Sequence, residues 1–244
     1  MLPWLSSNSP FPPVEKALRE PNGLLAAGGD LSVNRLINAY SQGIFPWFSE
    51  GDPILWWSPD PRMVLFPDEL VISKSLVKTL RNKDYQVKVD TSFRAVIEAC
   101  SSKPREGQAG TWIVSEMIEA YCKFHEAGYV HSFETWIDGE LAGGLYGVAL
   151  GRAFFGESMF MYKTDASKIA FVHLVRQLKQ QGFEVIDCQM RTHHLASLGG
   201  REIPRAQLSE KLKKLVNYPM PVGKWNLEIN LKEDFSLENQ KNFG

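Results

Sequence analysis

Cysteine is scarce in this chain of 244 residues: Cys100, Cys122 and Cys188 are the three, and none lies close in sequence to another. A disulfide framework is therefore not expected, and a reduced, cytoplasmic protein is the simpler reading. Charge of one sign is also lacking. The formal net charge is −1, so any nucleic-acid site has to be a local patch rather than a property of the whole surface. No uninterrupted apolar stretch is long enough to span a bilayer, so no membrane association is expected. The opening Met-Leu-Pro-Trp has no basic region followed by an apolar run, which argues against a signal peptide. There is no internal repeat and no low-complexity tract. What remains, at 44% hydrophobic and 23% charged residues, is an ordinary globular composition with enough chain for one or two domains.

Within that chain the residues from Ala153 to Gln189 stand out. Ala153-Phe-Phe-Gly-Glu-Ser-Met-Phe160 and Glu184-Val-Ile-Asp-Cys-Gln189 read as strands on either side of a helical run. A β-α-β unit of this kind closes by a right-handed crossover and lays its strands parallel. Both strands carry polar groups where apolar ones are expected. Period 2 puts Glu157 on one face with Phe155 and Met159, and puts Asp187 and Gln189 together on a face of the second strand. Polar groups on buried strands cost free energy unless they are paired or used. Glu157, Asp187 and Gln189 are therefore the candidate chemical centre.

Residues 1–62 are expected to form a small domain. Prolines limit helix there until Asn22-Gly23, which reads as a turn, and a helix capped by Asp30 or Ser32 then carries Leu36, Ile37 and Tyr40 as far as Gly43. Trp47, Trp56 and Trp57 follow in a Pro-rich stretch. Two readings stand for this region: aromatics burying area without much regular structure, or an aromatic surface on which a base can stack. Residues 63–232 read as an α+β domain and 233–244 as a polar tail. In the α+β domain Lys74, Lys78 and Arg81 share one face of a helix over 73–81, and Lys83 follows. Charge at helical spacing is usually a solvated face; in a chain of net charge −1 it is equally a stripe that fits phosphates. Strands over 130–137 and 140–150, joined at Asp138-Gly139, lead through Gly151-Arg152 into the Ala153 strand.

Asp187, Cys188, His193 and His194 do not complete a metal pattern, since adjacent histidines point apart and no second cysteine joins them. Alternation turns Cys188 away from Asp187 and Gln189, as a buried structural cysteine. For Glu157 the apolar neighbours Phe154, Phe155 and Met159 desolvate the carboxyl, raise its pKa and frame an apolar pocket. Three antiparallel strands feeding a β-α-β unit is the order of an acetyltransferase-like (GNAT) core. Members that use CoA carry a Gly-rich loop whose N–H groups cradle the pyrophosphate. Here that connection, Phe160-Met-Tyr-Lys-Thr-Asp-Ala-Ser-Lys168, has no glycine. An acyl transferase with another donor satisfies both facts.

Several uncommon strings then carry a family resemblance: Glu20-Pro-Asn-Gly-Leu-Leu-Ala-Ala-Gly-Gly-Asp-Leu31, Gly43-Ile-Phe-Pro-Trp-Phe48, Pro53-Ile-Leu-Trp-Trp-Ser-Pro-Asp-Pro-Arg62, Gly110-Thr-Trp-Ile113, Gly156-Glu-Ser-Met-Phe160 and Ile186-Asp-Cys-Gln189. From about Phe11 to Trp225 the chain resembles the leucyl/phenylalanyl-tRNA–protein transferases. That resemblance implies a cytoplasmic enzyme of the N-degron pathway with a small N-terminal domain and a GNAT-like domain. Such enzymes move Leu or Phe, and less readily Met, from Leu-tRNA or Phe-tRNA to proteins with N-terminal Arg or Lys. They need no metal and no cofactor, and a monomer is expected. Residue by residue, the resemblance puts Asp187, Gln189 and Glu157 at the reaction centre. It lines a donor side-chain pocket with Phe154, Met159, Ile186, Leu145 and Phe171, and sets Trp47 and Trp112 around the terminal adenosine. Asp187 is then expected to attract the charge or proton of the attacking amine, with Gln189 orienting it. Two alternatives are a CoA-dependent N-acetyltransferase, disfavoured by the missing glycines, and a non-catalytic tRNA or degron binder.

Overall fold

The computed structural model describes residues 1–102, 113–229 and Leu231. Two sheets organise them. The first holds β1 (Trp4–Leu5), β2 (Leu24–Gly28), β3 (Phe45–Pro46) and β4 (Leu55–Trp57) in the order β1-β2-β4-β3. The Trp-rich region is thus a small sheet, where the sequence led us to expect little regular structure. Strands of two to five residues are too short to show a period, which is why the pattern gave no sign of them. Helix α1 (Val33–Ser41) lies between β2 and β3, and Ser32 caps it by accepting from the Arg35 N–H. Leu36 and Tyr40, four residues apart, share its buried side.

The second sheet has seven strands. These are β5 (Arg62–Leu65), β6 (Gln86–Val89), β7 (Val130–Ile137), β8 (Glu140–Leu150), β9 (Ala153–Met161), β10 (Val185–Gln189) and β11 (Arg201–Ile203), ordered β11-β5-β10-β9-β8-β7-β6. Strands β7, β8 and β9 are antiparallel, and β9 and β10 are parallel across helix α5 (Ala166–Gln180). This is the mixed α+β order anticipated from the sequence. Helix α5 and the basic helix α2 (Lys74–Asn82) cover one face, with Phe154, Leu145, Phe171, Leu80 and Ile186 in that core. Helices α3 (Phe93–Ser102) and α4 (Ser115–Glu126), α6 (Arg205–Leu215) and the first sheet cover the other. Trp56, Tyr40, Tyr121, Phe155 and Leu212 belong to that second core together. The N-terminal region therefore packs directly on the large sheet and shares its core.

Candidate active site

Two irregularities in neighbouring strands make the site. On β9, Tyr146 pairs with Ser158 but the next residue, Gly147, pairs with Gly156, so Glu157 is an extra residue bulged out of the ladder. A bulge reverses the alternation beyond it. Glu157 keeps company with Phe155 on the α1/α4 side, whereas Met159 moves to the opposite side with Phe154. Period 2 alone, which put Met159 with Glu157 and Phe155, is corrected by this one inserted position. On β10, Asp187 pairs with Val64 and Gln189 with Met63, leaving Cys188 as the extra residue. Gln189 has a left-handed backbone, φ 63°, uncommon for a residue with a side chain and frequent at functional positions. The parallel pairing of β9 and β10 runs from Ala153 to Phe155. Just past it, side chains take over: the Gln189 amide Nε2 donates to Glu157 Oε1 at 2.9 Å.

A cavity of about 360 Å³ opens there. Its floor is apolar, formed by Leu145, Phe154, Met159, Phe171, Leu174 and Ile186. Glu157, Gln189, Thr192 and His194 add polar groups, and Phe45, Pro46 and Trp47 reach in from the first sheet. All the pocket residues singled out from the sequence, and Trp47, thus meet in one cavity. Trp47 is half-buried, 5.3 Å from Trp57, whose indole Nε1 donates to the Trp47 carbonyl at 2.6 Å. Cys188 also lines the cavity, half-buried. The bulge and the turned Gln189 bring it round, contrary to the alternation that faced it away. Burial pushes its thiol well up, so it is not a ready thiolate. Trp112 lies outside the described residues, as does the 233–244 tail.

Asp187 is not among the residues lining this cavity. It is fully buried behind Gln189, where Arg62 clasps it through Nε to Oδ1 at 2.9 Å and Nη2 to Oδ2 at 2.7 Å. The Gln189 backbone N–H donates to Oδ1 as well, at 2.9 Å. Arg62 itself donates to the Gly43 carbonyl at 2.9 Å and lies 4.9 Å over the Phe45 ring. Asp187, expected to meet an amine's charge, is thus paired internally with Arg62, and its carboxylate accepts from the N–H of the turned Gln189. Sequence reading missed Arg62, and no local spacing links it to a partner 125 positions away.

Glu157 is buried too, and its surroundings come from across the molecule. Tyr40 of α1 donates to Oε1 at 2.8 Å, and Tyr121 of α4 contacts Oε2 at 3.2 Å. The two hydroxyls also hydrogen-bond to each other. Burial raises the carboxyl pKa to about 7, against the lowering effect of Tyr40, Tyr121 and Gln189, while Asp187 raises it further. Both tyrosines, missed from the sequence, are pushed well above their ordinary range, first by burial. His194, another cavity residue, is lowered by burial and then by Lys168.

The basic residues of α2 divide. Lys74, Lys78 and Arg81 are exposed, whereas Lys83 is half-buried and donates to the Thr164 carbonyl at 2.9 Å. Thr79 of the same helix contacts Asp165, which opens α5 with φ 65° and also holds Lys168. A carboxylate thus stands at the start of α5. Among the described residues, no group of three or more His, Cys, Asp or Glu side chains gathers as a metal site, and no helix is long and apolar enough to cross a membrane.

Comparison with known proteins identifies the family. The family model for leucyl/phenylalanyl-tRNA protein transferase matches residues 64–213, and the model for its N-terminal domain matches residues 29–60. A leucyl/phenylalanyl-tRNA–protein transferase from Nitrosospira multiformis is 66% identical over 92% of this chain and 97% of its own. One from Chromobacterium violaceum is 63% identical over 93% and 97%. Solved structures are more distant. A GCN5-related N-acetyltransferase from Kribbella flavida has a TM-score of 0.37 at 11% identity, covering 66% of this chain and 56% of its own. The L-PGS structure from Bacillus licheniformis scores 0.35 at 14% identity, covering 85% and 70%.

Proposed function

The chain belongs to the leucyl/phenylalanyl-tRNA–protein transferase family and moves an aminoacyl group from tRNA to protein, and from that premise we propose how its residues divide the work. The donor's Leu or Phe side chain lies on the apolar floor of Leu145, Phe154, Met159, Phe171 and Ile186, and Met is accepted less readily. The terminal adenosine rests against Trp47, with Trp112 as its second aromatic partner. Lys74, Lys78 and Arg81 meet tRNA phosphates, and Lys83 braces their helix. The acceptor is a protein with N-terminal Arg or Lys, which the new residue marks for degradation in the cytoplasm.

The chemistry follows from the polar edge of the cavity. The acceptor α-amine attacks the ester carbonyl, a C–N bond forms, the bond to the tRNA 3′-oxygen breaks, and the amine's proton ends on that oxygen. An aminoacyl ester is already activated, so holding the amine in line supplies much of the rate. Gln189 is the group that does so. Its amide N–H₂ is committed to Glu157, which leaves Oε1 to accept from the amine. Asp187 and Arg62 act through Gln189, as positioning residues.

The observation that carries this reading is a cavity with an apolar floor and the Gln189–Glu157 pair at its polar edge. The test is to incubate the protein with charged tRNA and a peptide beginning with Arg, and follow the added mass. Leu and Phe should transfer, and Ile and Val from matched tRNA bodies should transfer less, because they widen at Cβ. Selection by such a pocket is graded, about 1–3 kcal/mol per methylene-sized change. Equal transfer of Leu, Ile and Val would remove the cavity from donor choice.

A further inference from the structure

The hydrogens around Glu157 do not add up if its carboxyl is ionised. Three oxygen-to-oxygen contacts close a ring: Tyr40 hydroxyl to Glu157 Oε1 at 2.8 Å, Glu157 Oε2 to Tyr121 hydroxyl at 3.2 Å, and Tyr121 hydroxyl to Tyr40 hydroxyl. Each contact needs one hydrogen between its two oxygens. The tyrosines supply two. Gln189 brings its own N–H to Oε1 and adds nothing to the ring. With an ionised Glu157, one of the three contacts has two facing lone pairs and no hydrogen between them, at a buried position. A protonated Glu157 fills all three contacts, and because Oε1 also accepts from Gln189 the proton belongs on Oε2: Oε2–H donates to Tyr121, Tyr121 donates to Tyr40, and Tyr40 donates to Oε1.

The charges around it point the same way. The elements packed on Glu157 bring Tyr40 from α1, Tyr121 from α4, Tyr146 from β8 against the Tyr121 ring, and Gln189 from β10. The formal charge that bears on it is Asp187, and Arg62 already matches Asp187 in a bidentate pair. Among the described residues, no cation pairs with Glu157 to stabilise a second anion.

We propose that Glu157 stands in the resting site as a neutral carboxylic acid, that Tyr40 and Tyr121 are the positioning residues that hold its proton, and that the amine-receiving end of the cavity therefore carries no net charge. A neutral site suits the reaction. An ammonium is not a nucleophile, and a carboxylate facing it favours that protonated form. Gln189 Oε1, an uncharged dipole, orients the free amine without that cost. This inference rests on the reading that an amine is received at Gln189.

Infrared spectroscopy tests it on the free protein. Between about pH 5.5 and about pH 8.5 ordinary carboxylates stay ionised. At the acidic end the protein should show the carbonyl band of a protonated carboxylic acid, lost towards the alkaline end and absent in Glu157→Gln. Because other carboxylates are silent in this range, the loss is readable in the unaltered protein even if that variant does not fold. Tyr40→Phe should move the band to higher frequency, since Tyr40 donates to the carbonyl oxygen of the acid. No protonated-acid band at the acidic end, or a band that Glu157→Gln retains, overturns the proposal. A band unmoved in Tyr40→Phe removes Tyr40's hydrogen bond to the acid carbonyl, and with it the closed ring. None of these readings uses transfer activity, so a failure here is separate from a failure of the donor and acceptor assignments.

Discussion

At the scale of single residues, the buried charges have distinct roles and leave distinct signatures. Arg62 and Asp187 are paired, fully buried and hydrogen-bonded on both sides. Removing one partner strands the other's charge in the core, which costs about 3–5 kcal/mol. Arg62→Met should therefore lower the unfolding free energy read from urea melts by an amount of that order, moving the midpoint down, and lower transfer with it, since Gln189 loses its fixed turn. An unchanged midpoint would show that Asp187 finds another partner. Glu157 acts on stability through pH. Its folded pKa, about 7, lies above the ordinary 4.5, so the folded state binds the extra proton. Its contribution is fully present below about pH 4.5 and is lost as pH rises through about 7, on the order of 3 kcal/mol. His173 opposes it. Burial lowers that imidazole from 6.5 to about 4, so its contribution is lost as pH falls through that window, and buried His131 is lowered in the same direction. Between about pH 4.5 and 6.5 the Glu157 slope therefore runs against that of the buried histidines. Glu157→Gln removes the opposing slope, so the variant's stability should climb with pH more steeply than the unaltered protein's. Urea midpoints across that range decide it, and parallel curves for the two proteins would mean that Glu157 does not titrate there.

At the scale of elements, the site depends on one inserted residue in β9 and one in β10, and this marks where the sequence stopped being informative. The β-α-β unit and the hairpins before it were legible because their signals are local: alternation along each strand, Asp138-Gly139 and Gly151-Arg152 at the turns. The bulge at Glu157 has no such signal, and beyond it the parity of β9 reverses, which sends Met159 into the cavity. Tyr40 and Tyr121 come to Glu157 from 117 and 36 positions away, a separation that no period encodes. The pocket residues were found through family resemblance, and alternation alone misplaced one of them. Gly147, opposite the bulge, ties element to cavity. A Cβ there would lie 2.4 Å from the Phe154 ring and 2.4 Å from the Phe155 carbonyl. Gly147→Ala therefore has to move Phe154, at about 1–3 kcal/mol for the overpacking. Displaced into the cavity, the ring should hinder Phe transfer more than Leu transfer. Met159→Ala does the reverse: it enlarges the floor, weakens Leu transfer and spares Phe. Steady-state constants for both donors on both variants check the pair, and equal losses for Leu and Phe would show that neither residue shapes the donor site.

At the scale of the whole molecule, the puzzle is how a chain of net charge −1 holds a polyanion. The field has to be local. The first sheet and the large sheet share a core, so Trp47, the cavity and α2 belong to one packed body, and a tRNA end seated in the cavity as proposed would carry its stem over the surface around it. Helix α2 presents Lys74, Lys78 and Arg81 outward while Leu76 and Leu80 bury its other side. Lys83, just past its end, is tied to Thr164, and its Thr79 to Asp165, both at the start of α5, whose Phe171 and Leu174 line the cavity. The exposed cations are thereby held in fixed relation to the reaction centre. Each phosphate that a cation ceases to neutralise lowers the slope of log affinity against log salt by about 0.7–0.9. Replacing Lys74, Lys78 and Arg81 together by Gln should flatten that slope by about 2–3 and raise KM for charged tRNA, with kcat little changed, because these groups lie outside the chemistry. Lys83→Gln should flatten it less, since its ammonium is already engaged with a carbonyl. A slope unchanged in the triple variant would return this face to an ordinary solvated helix and send the search for the tRNA path to another surface.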